Sequence, residues 1–360
     1  MLESVTPRGD TVLFRWEDGC EAEFAAAWLL DNAPAAHAGT QRLRTMRSLA
    51  SQVRHVEHDG DAIRLYFADE TIAWTAARLR VLAAPGPVAQ PARWPKGDTA
   101  AARPPIGYDA YLAGDAVLRA ALEEVAAFGI VRFADAGAAL DEVERAVRRF
   151  GFVRETNYGR VFEVRVTADP VNLADTARAL EPHTDNPYRD PVPTLQLLHC
   201  IRSAGEGGAT YFLDGIALAE AFRVAYPRDF ACLAAEPVPF VFENAAGDRY
   251  ECRTPVIRCD ASGMVRAIRL NHRALGSIDL PARRSADWYA SYAAFARAAN
   301  DPARHFIHAM APGDMVLFDN ERILHGRKAF ASVSDRLLRG CYADRDGLLA
   351  TLARLRKLIA

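Results

Sequence analysis

His183 and Asp185 stand one residue apart in Leu180-Glu181-Pro182-His183-Thr184-Asp185-Asn186-Pro187-Tyr188. If that segment is a strand, the two side chains point to one face and can grip a single ion. A third ligand is then needed, and His325, in Phe318-Asp319-Asn320-Glu321-Arg322-Ile323-Leu324-His325-Gly326-Arg327, is the candidate, 140 residues beyond Asp185 (325 − 185). Two imidazoles and one carboxylate on one face of a metal leave its other positions open, an arrangement that suits non-heme ferrous iron. Eleven residues after His325 (336 − 325) comes Arg336, in a segment that reads as the following strand. Its planar guanidinium suits bidentate pairing with a dicarboxylate whose other end chelates iron. Arg339 has the opposite strand parity and would face away.

These residues need a scaffold of short strands. Gly129 to Phe133, Gly159 to Val166, Pro191 to Cys200, Ala209 to Asp214 and Asp314 to Asp319 read as strands, the last delivering His325. Asp109 to Phe128, Leu140 to Phe150, Leu218 to Glu236 and Ser285 to Ala299 carry helical periodicity. Many short strands with a few covering helices predict a mainly β catalytic domain, a double-stranded β-helix or jelly roll, over residues 106–360. Residues 84–105 are rich in Pro, Ala and Gly, as in Ala84-Pro85-Gly86-Pro87 and Arg103-Pro104-Pro105, and predict a linker. Residues 1–83 predict a small β-rich N-terminal domain. Thr11 to Phe24 alternates around Asp18-Gly19, and a second hairpin runs from Val53 to Thr75 with Asp59-Gly60 at its first turn.

At 360 residues the chain is long for one core, so a catalytic domain plus a smaller one is the expectation. A formal charge of −2 creates no field that would recruit nucleic acid or an acidic membrane. The sequence contains no apolar run of eighteen residues and opens on no signal peptide, so a cytoplasmic protein is expected. Six cysteines at 20, 200, 232, 252, 259 and 341 form no C-x-x-C pair, and are read as free thiols.

The ordered segments resemble a known family, the 2-oxoglutarate-dependent dioxygenases of the taurine dioxygenase superfamily, and within it the γ-butyrobetaine hydroxylase branch. The resemblance is carried by Asn157-Tyr158-Gly159-Arg160, Asn172-Leu173, His183-Thr184-Asp185-Asn186-Pro187, Gln196-Leu197-Leu198-His199-Cys200, Gly207-Gly208-Ala209-Thr210, Asp214-Gly215, Phe318-Asp319-Asn320 with Leu324-His325-Gly326-Arg327, and Tyr342-Ala343-Asp344. It covers about residues 110–350, and implies the same jelly roll. It also implies Fe(II) on His183, Asp185 and His325, with 2-oxoglutarate and O2 as co-substrates. Arg336 and Thr210 would hold the distal carboxylate. Leu197 or Leu198 is a candidate lining residue of that pocket, and otherwise plain core. A homodimer is expected on the resemblance alone.

The branch binds a trimethylammonium group in an aromatic cage, a use of cation–π attraction. The positions that look equivalent are Tyr158, Phe162, Asp175 and Tyr342. Phe162 replaces the tryptophan usual in vertebrate members, and Asp175 stands where a tyrosine is expected. A carboxylate attracts a cation and, unlike a ring, accepts N–H hydrogen bonds. Tyr158 and Phe162, four apart in a predicted strand, also fit a plain core. Asn172, Asn271 and Arg273 resemble positions near the substrate's anionic end. Hydroxylation of a small zwitterion such as γ-butyrobetaine is the implied activity. A 2-(trimethylammonio)ethylphosphonate hydroxylase is the alternative, and trimethyllysine a third substrate. Outside this class, a divalent-metal hydrolase or a non-catalytic jelly-roll binding protein would use the same fold. Trp28-Leu29-Leu30-Asp31-Asn32 resembles the branch's N-terminal domain, where clustered cysteines and a later histidine bind zinc. Here Ala33-Pro34-Ala35-Ala36-His37 follows, without thiolates, so no zinc is expected. His37, His55 and His58 are expected to be solvated. His199 is expected to be a core or supporting histidine, and His305 and His308 have no carboxylate at ligand spacing.

Overall fold

The structure, a computed structural model, describes residues 1–34, 52–83, 91–94, 97, 103–167, 170, 172–204, 206–331 and 335–357. The chain divides into two compact units, Met1–Ala89 and Gln90–Ala360. In the first, β1 (Leu2–Arg8), β2 (Thr11–Trp16) and β3 (Glu21–Ala25) form one antiparallel sheet, and β4 (His55–Asp59), β5 (Ala62–Tyr66) and β6 (Thr71–Thr75) form another. Both Asp-Gly turns place glycine where a side chain is disfavoured, with φ of 81° at Gly19 and 58° at Gly60. Each three-stranded sheet is marginal alone, and both bury their apolar faces, including Phe14, Trp16, Ile63, Leu65 and Trp74, in one core. Trp28 stacks between Phe24 and Trp74 at centroid distances of 5.1 and 5.8 Å. His55 and His58 are exposed. The expected zinc-free segment, Ala35 through His37, lies outside the described residues.

The second unit is mixed α/β and rich in strands. Its strands are β7 (Ile106–Gly107), β8 (Ile130–Ala134), β9 (Val153–Arg154), β10 (Phe162–Val164), β11 (Leu180–His183), β12 (Leu195–Arg202), β13 (Thr210–Asp214), β14 (Val238–Glu243), β15 (Arg249–Thr254), β16 (Ile257–Cys259), β17 (Val265–Ile268), β18 (Phe306–His308), β19 (Met315–Asp319), β20 (Ile323–Arg327) and β21 (Leu337–Ala343). A seven-stranded sheet runs β10-β21-β12-β19-β8-β7, with β9 on β21, and a four-stranded sheet runs β11-β20-β13-β18. Consecutive strands β11, β12 and β13, and again β18 to β21, alternate between these two sheets. β12 and β19 are buried along nearly their whole length, because helices cover one face of the large sheet while the small sheet covers the other. Hairpins β14–β15 and β16–β17 stand beside them.

Several expected elements are shorter or broken. The helix expected over Asp109 to Phe128 is interrupted at Gly114, whose extended backbone ends Tyr108–Ala113 and starts Asp115–Phe128. The helix expected over Leu218 to Glu236 is two, Gly215–Ala225 and Pro227–Ala235, because Pro227 has no amide hydrogen to continue the first. Leu140 to Phe150 is helical only over Glu142–Arg148, and the strand from Gly159 contracts to Phe162–Val164. Within the expected linker, Trp94 is 1% exposed; its backbone N–H donates to Asp214 (3.3 Å) and its indole to the Phe128 carbonyl (2.8 Å). An indole is too large an apolar group to leave on a spacer when a core lies within reach. All six cysteines are free thiols. Among the described residues no helix is long and apolar enough to cross a membrane.

Candidate metal centre

Strand β11 ends at His183, so the expectation that Asp185 shares a strand with it is corrected: Asp185 sits in the turn beyond. Convergence is achieved by hydrogen bonds instead. Thr184 N–H donates to the Leu270 carbonyl (2.8 Å) and its hydroxyl to the Ile268 carbonyl (2.9 Å). Asp185 N–H donates to Asn320 Oδ1 at 2.9 Å, while Asn320 Nδ2 donates to the carbonyls of Asp185 (3.0 Å) and Pro193 (2.9 Å). One buried amide on the β19–β20 turn therefore clamps the backbone of the carboxylate. His325 faces His183 directly, as Cα partners across β11 and β20. Their rings lie 4.3 Å apart between centroids.

One nitrogen or oxygen of each of His183, Asp185 and His325 lies within 4.8 Å of the others, so the three could hold one ion. The separations of Asp185 Oδ1 from His183 Nε2 (3.2 Å) and of Oδ2 from His325 Nε2 (3.9 Å) approach the roughly 3 Å expected between adjacent ligands at about 2.1 Å from a metal. The donor chemistry also fits. His183 Nδ1 lies 2.8 Å from the Glu181 carbonyl, which can only accept, so the proton sits on Nδ1 and leaves Nε2 free to ligate. Asp185 Oδ2 accepts from Gln196 Nε2 and from the Tyr342 hydroxyl, both at 2.9 Å, which leaves Oδ1 turned toward His183. Burial disfavours the Asp185 charge, but the adjoining His183 and His325 imidazoles and the Arg273 guanidinium outweigh it and hold the carboxyl below its usual range. Burial, with repulsion from His183, brings His325 down to about 3 against the attraction of Asp185. Both shifts keep the ligands in their metal-binding forms.

Thr210 and Arg336 are 4% and 5% exposed and line one cavity of about 230 Å3 with Cys200, Ala209 and Leu338. Leu198 is not in that wall; it packs in the core with Phe212 and Phe318. Arg336 immediately precedes β21 and its guanidinium lies 5.5 Å from the Phe330 ring centroid. Arg327, two residues past His325, donates to the carbonyls of Ala174 (3.0 Å), Thr176 (2.5 Å) and Arg178 (2.6 Å), and so anchors the segment that carries Asn172 and Asp175. Burial, together with repulsion from Arg336 and Arg273, pulls Arg327 down to about 10. This arginine-rich flank favours an anion.

Of the aromatic candidates, Phe162 stacks on Tyr342 at 4.9 Å, beside Asp185. Tyr158 and Phe162, whose spacing predicts one shared strand, do not share one; Tyr158 lies in the tight Thr156–Gly159 turn, ahead of β10. Its ring meets Phe242 edge-on at 5.9 Å, and its hydroxyl accepts from Tyr188 at 3.4 Å. Asp175 ends a half-buried 3-10 turn, and burial raises its carboxyl above the ordinary value despite Asn172 and Arg327. Asn172 accepts from Arg273 Nη1 (3.1 Å), and Asn271 Nδ2 donates to the Thr184 carbonyl (3.0 Å), leaving Asn271 Oδ1 buried with no hydrogen-bond partner among the described residues. His199 is buried, with Nε2 3.1 Å from the Gly137 carbonyl, and His308 lies 3.6 Å from Asp314 without a third ligand among the described residues. Sequence reasoning missed Gln196, Asn320, Tyr188 and Arg327. Gln196 had a signal: it is a lone amide inside the apolar run Leu195-Gln196-Leu197-Leu198.

Fold and cluster together define a class, a strand-rich α/β protein with a two-histidine, one-carboxylate candidate metal centre. The chain belongs to the taurine catabolism dioxygenase TauD, TfdA family, whose profile matches residues 96–342, and is by that membership a dioxygenase. It is 32% identical to a gamma-butyrobetaine dioxygenase of Pseudomonas sp. (strain AK-1), over 99% of this chain and 96% of that one. A gamma-butyrobetaine dioxygenase of Pongo abelii is 27% identical over 96% and 94%. Among solved structures, PvcB of Pseudomonas aeruginosa matches with a TM-score of 0.49 and 21% identity, over 67% of this chain and 82% of PvcB.

Proposed function

We propose that the chain is an Fe(II)/2-oxoglutarate-dependent hydroxylase of a small zwitterionic quaternary-ammonium substrate such as γ-butyrobetaine. The observation that carries the reading is the convergence of His183, Asp185 and His325, in a chain similar over its whole length to a gamma-butyrobetaine dioxygenase. Iron held there would, with 2-oxoglutarate and O2, supply the oxidising power to hydroxylate an unactivated C–H bond, releasing succinate and carbon dioxide. The protein's work is placement. Gln196 and Tyr342 orient Asp185, and the Glu181 carbonyl sets the His183 tautomer. Arg336 forks onto the distal carboxylate of 2-oxoglutarate and Thr210 donates its hydroxyl to it. Tyr158, Phe162 and Tyr342 present rings to the ammonium group, and Asp175 adds a negative charge. Asn172, Asn271 and Arg273 take the anionic end.

Arg273 has no ion-pair partner among the described residues, and its guanidinium would serve a phosphonate as well as a carboxylate. That supports 2-(trimethylammonio)ethylphosphonate as a second reading. The alternation of β11–β13 and β18–β21 between two sheets supports a double-stranded β-helix. We read residues 1–83 as an N-terminal domain of the hydroxylase type without its zinc, 84–105 as the join, 106–360 as the catalytic domain, and the whole as a cytoplasmic homodimer. An anaerobic visible titration tests the reading: Fe(II), then 2-oxoglutarate, then each amine. A charge-transfer band that forms with 2-oxoglutarate and shifts with one compound supports the site and names the substrate. A band that no amine shifts refutes the substrate assignment, and absence of the band refutes the iron assignment.

A further inference from the structure

A second cavity, of about 170 Å3, is walled by Arg93, Arg266, Arg322 and Arg345 against one carboxylate, Asp319. That volume is far above the roughly 10–15 Å3 that admits a single water. The cavity shares no lining residue with the Thr210–Arg336 cavity and none with the metal centre. Three of its arginines are paired: Arg322 with Asp214 at 2.7 Å, Arg345 with Asp319 at 2.7 Å and Glu321 at 3.2 Å, and Arg266 with Asp260 at 2.5 Å. Glu321 is shared with Arg258 at 3.0 Å. With Glu220, which attracts Arg93 from farther off and is paired with Arg223 at 3.5 Å, six guanidinium groups (Arg93, Arg223, Arg258, Arg266, Arg322, Arg345) meet five carboxylates (Asp214, Glu220, Asp260, Asp319, Glu321), and the one without an ion pair is Arg93. No ion pair among the described residues includes Arg93, and its Nη1 is buried with no hydrogen-bond partner. Burial, only partly offset by Asp214 and Glu220 and reinforced by repulsion from Arg322 and Arg266, holds its guanidinium below the ordinary value. An N–H donor removed from water with nothing to donate to is a standing destabilisation, and the space beside it can hold an acceptor.

We propose that this cavity is a binding site for a small oxyanion, a phosphate or carboxylate group, which takes the free donor of Arg93 and neutralises the surplus charge. The wall is gathered from many separate pieces of chain, among them residues 91–93 and the β19–β20 turn. A bound anion would tie them together, and binding only the folded state raises its stability.

The test uses the full chain as wild type, Arg93→Met and Arg93→Lys. Phosphate binding is measured by equilibrium dialysis with radiolabelled phosphate, and thermal unfolding is followed in phosphate against chloride at matched ionic strength. Saturable wild-type binding, a midpoint that rises with phosphate, and roughly tenfold or greater weakening in Arg93→Met support the site. Arg93→Lys, which keeps the charge and loses the fork, should retain part of the binding and guards against a folding defect in the methionine variant. Competition by succinate would extend the ligand class to carboxylates; its absence, beside phosphate binding, restricts the class to phosphate. Absence of wild-type binding overturns the proposal. So does binding that both variants leave unchanged, which would mark an adventitious ion only.

Discussion

Replacing Tyr342 by phenylalanine removes one atom and isolates one interaction. The Tyr342 hydroxyl donates to Asp185 Oδ2 at 2.9 Å, while its ring stacks on Phe162 at 4.9 Å. Phenylalanine keeps the stack. Burial and the neighbouring Asp185 charge push the Tyr342 phenol well above its ordinary value, so it is a proton donor at any working pH. A hydrogen bond to a charged acceptor contributes about 1.5–3 kcal/mol. Gln196 Nε2 still donates to the same oxygen at 2.9 Å, so the carboxylate keeps one partner and the loss should lie toward the lower half of that range. At about 1.4 kcal/mol per decade, metal affinity should fall by roughly ten- to fortyfold, within the span of other supporting-ligand losses. The assay is an anaerobic competition titration of Fe(II), with Co(II) as a redox-stable check, on wild type, Tyr342→Phe, Gln196→Leu and the double variant. The double variant should lose more than the sum of the single losses if the donors compensate for one another. Unchanged metal affinity in both single variants would refute the argument that these donors orient Asp185.

Other outcomes follow from particular contacts. Because His325 is held near 3 when folded, against an ordinary value of 6.5, the unfolded chain takes up the proton first. The metal-free protein should therefore lose stability as pH falls from about 6.5 to about 3, by up to about 1.4 kcal/mol per pH unit from this group; the pH dependence of the urea midpoint should be flatter in His325→Gln. Arg327→Lys cannot span the Ala174, Thr176 and Arg178 carbonyls. It should raise KM for the amine about tenfold while leaving iron affinity nearly unchanged, as steady-state kinetics and metal titration would show. A Cβ at Gly326 would collide with the Tyr211 ring and the Leu180 carbonyl. Gly326→Ala should destabilise by about 1–3 kcal/mol in denaturant titration. Asp175→Tyr removes a carboxylate and supplies a ring, so competition assays should show preference moving from amines that carry N–H toward the trimethylated substrate.

What the sequence made legible is chiefly what local chemistry dictates. Asp18-Gly19 and Asp59-Gly60 mark their turns because glycine adopts positive φ at no steric cost, and the apolar runs of β12, β13 and β19 mark buried strands. His183, Asp185 and His325 could be nominated by residue type and order, but not the way they meet. Asp185 stands past the strand end and is aimed by Asn320, 135 positions away in sequence. No local pattern encodes such a pairing. Tyr158 leaves its expected strand because the Thr156–Gly159 turn intervenes, with Gly159 at φ 82°. Other misses did carry a signal: Pro227 announces the break between two helices, and Leu348, Leu352 and Leu355 recur at helical spacing in Arg345–Lys357. The arginine-lined cavity was invisible for a third reason, since its wall is gathered from segments far apart in sequence.

The most direct test of the central claim is oxygen-dependent succinate release from 2-oxoglutarate in the presence of Fe(II) and γ-butyrobetaine, with wild type beside Asp185→Ala. The reading predicts one succinate and one hydroxylated amine per O2 consumed by wild type, and neither from the variant. Turnover that persists without oxygen, or an Asp185→Ala protein that retains full activity, would contradict it.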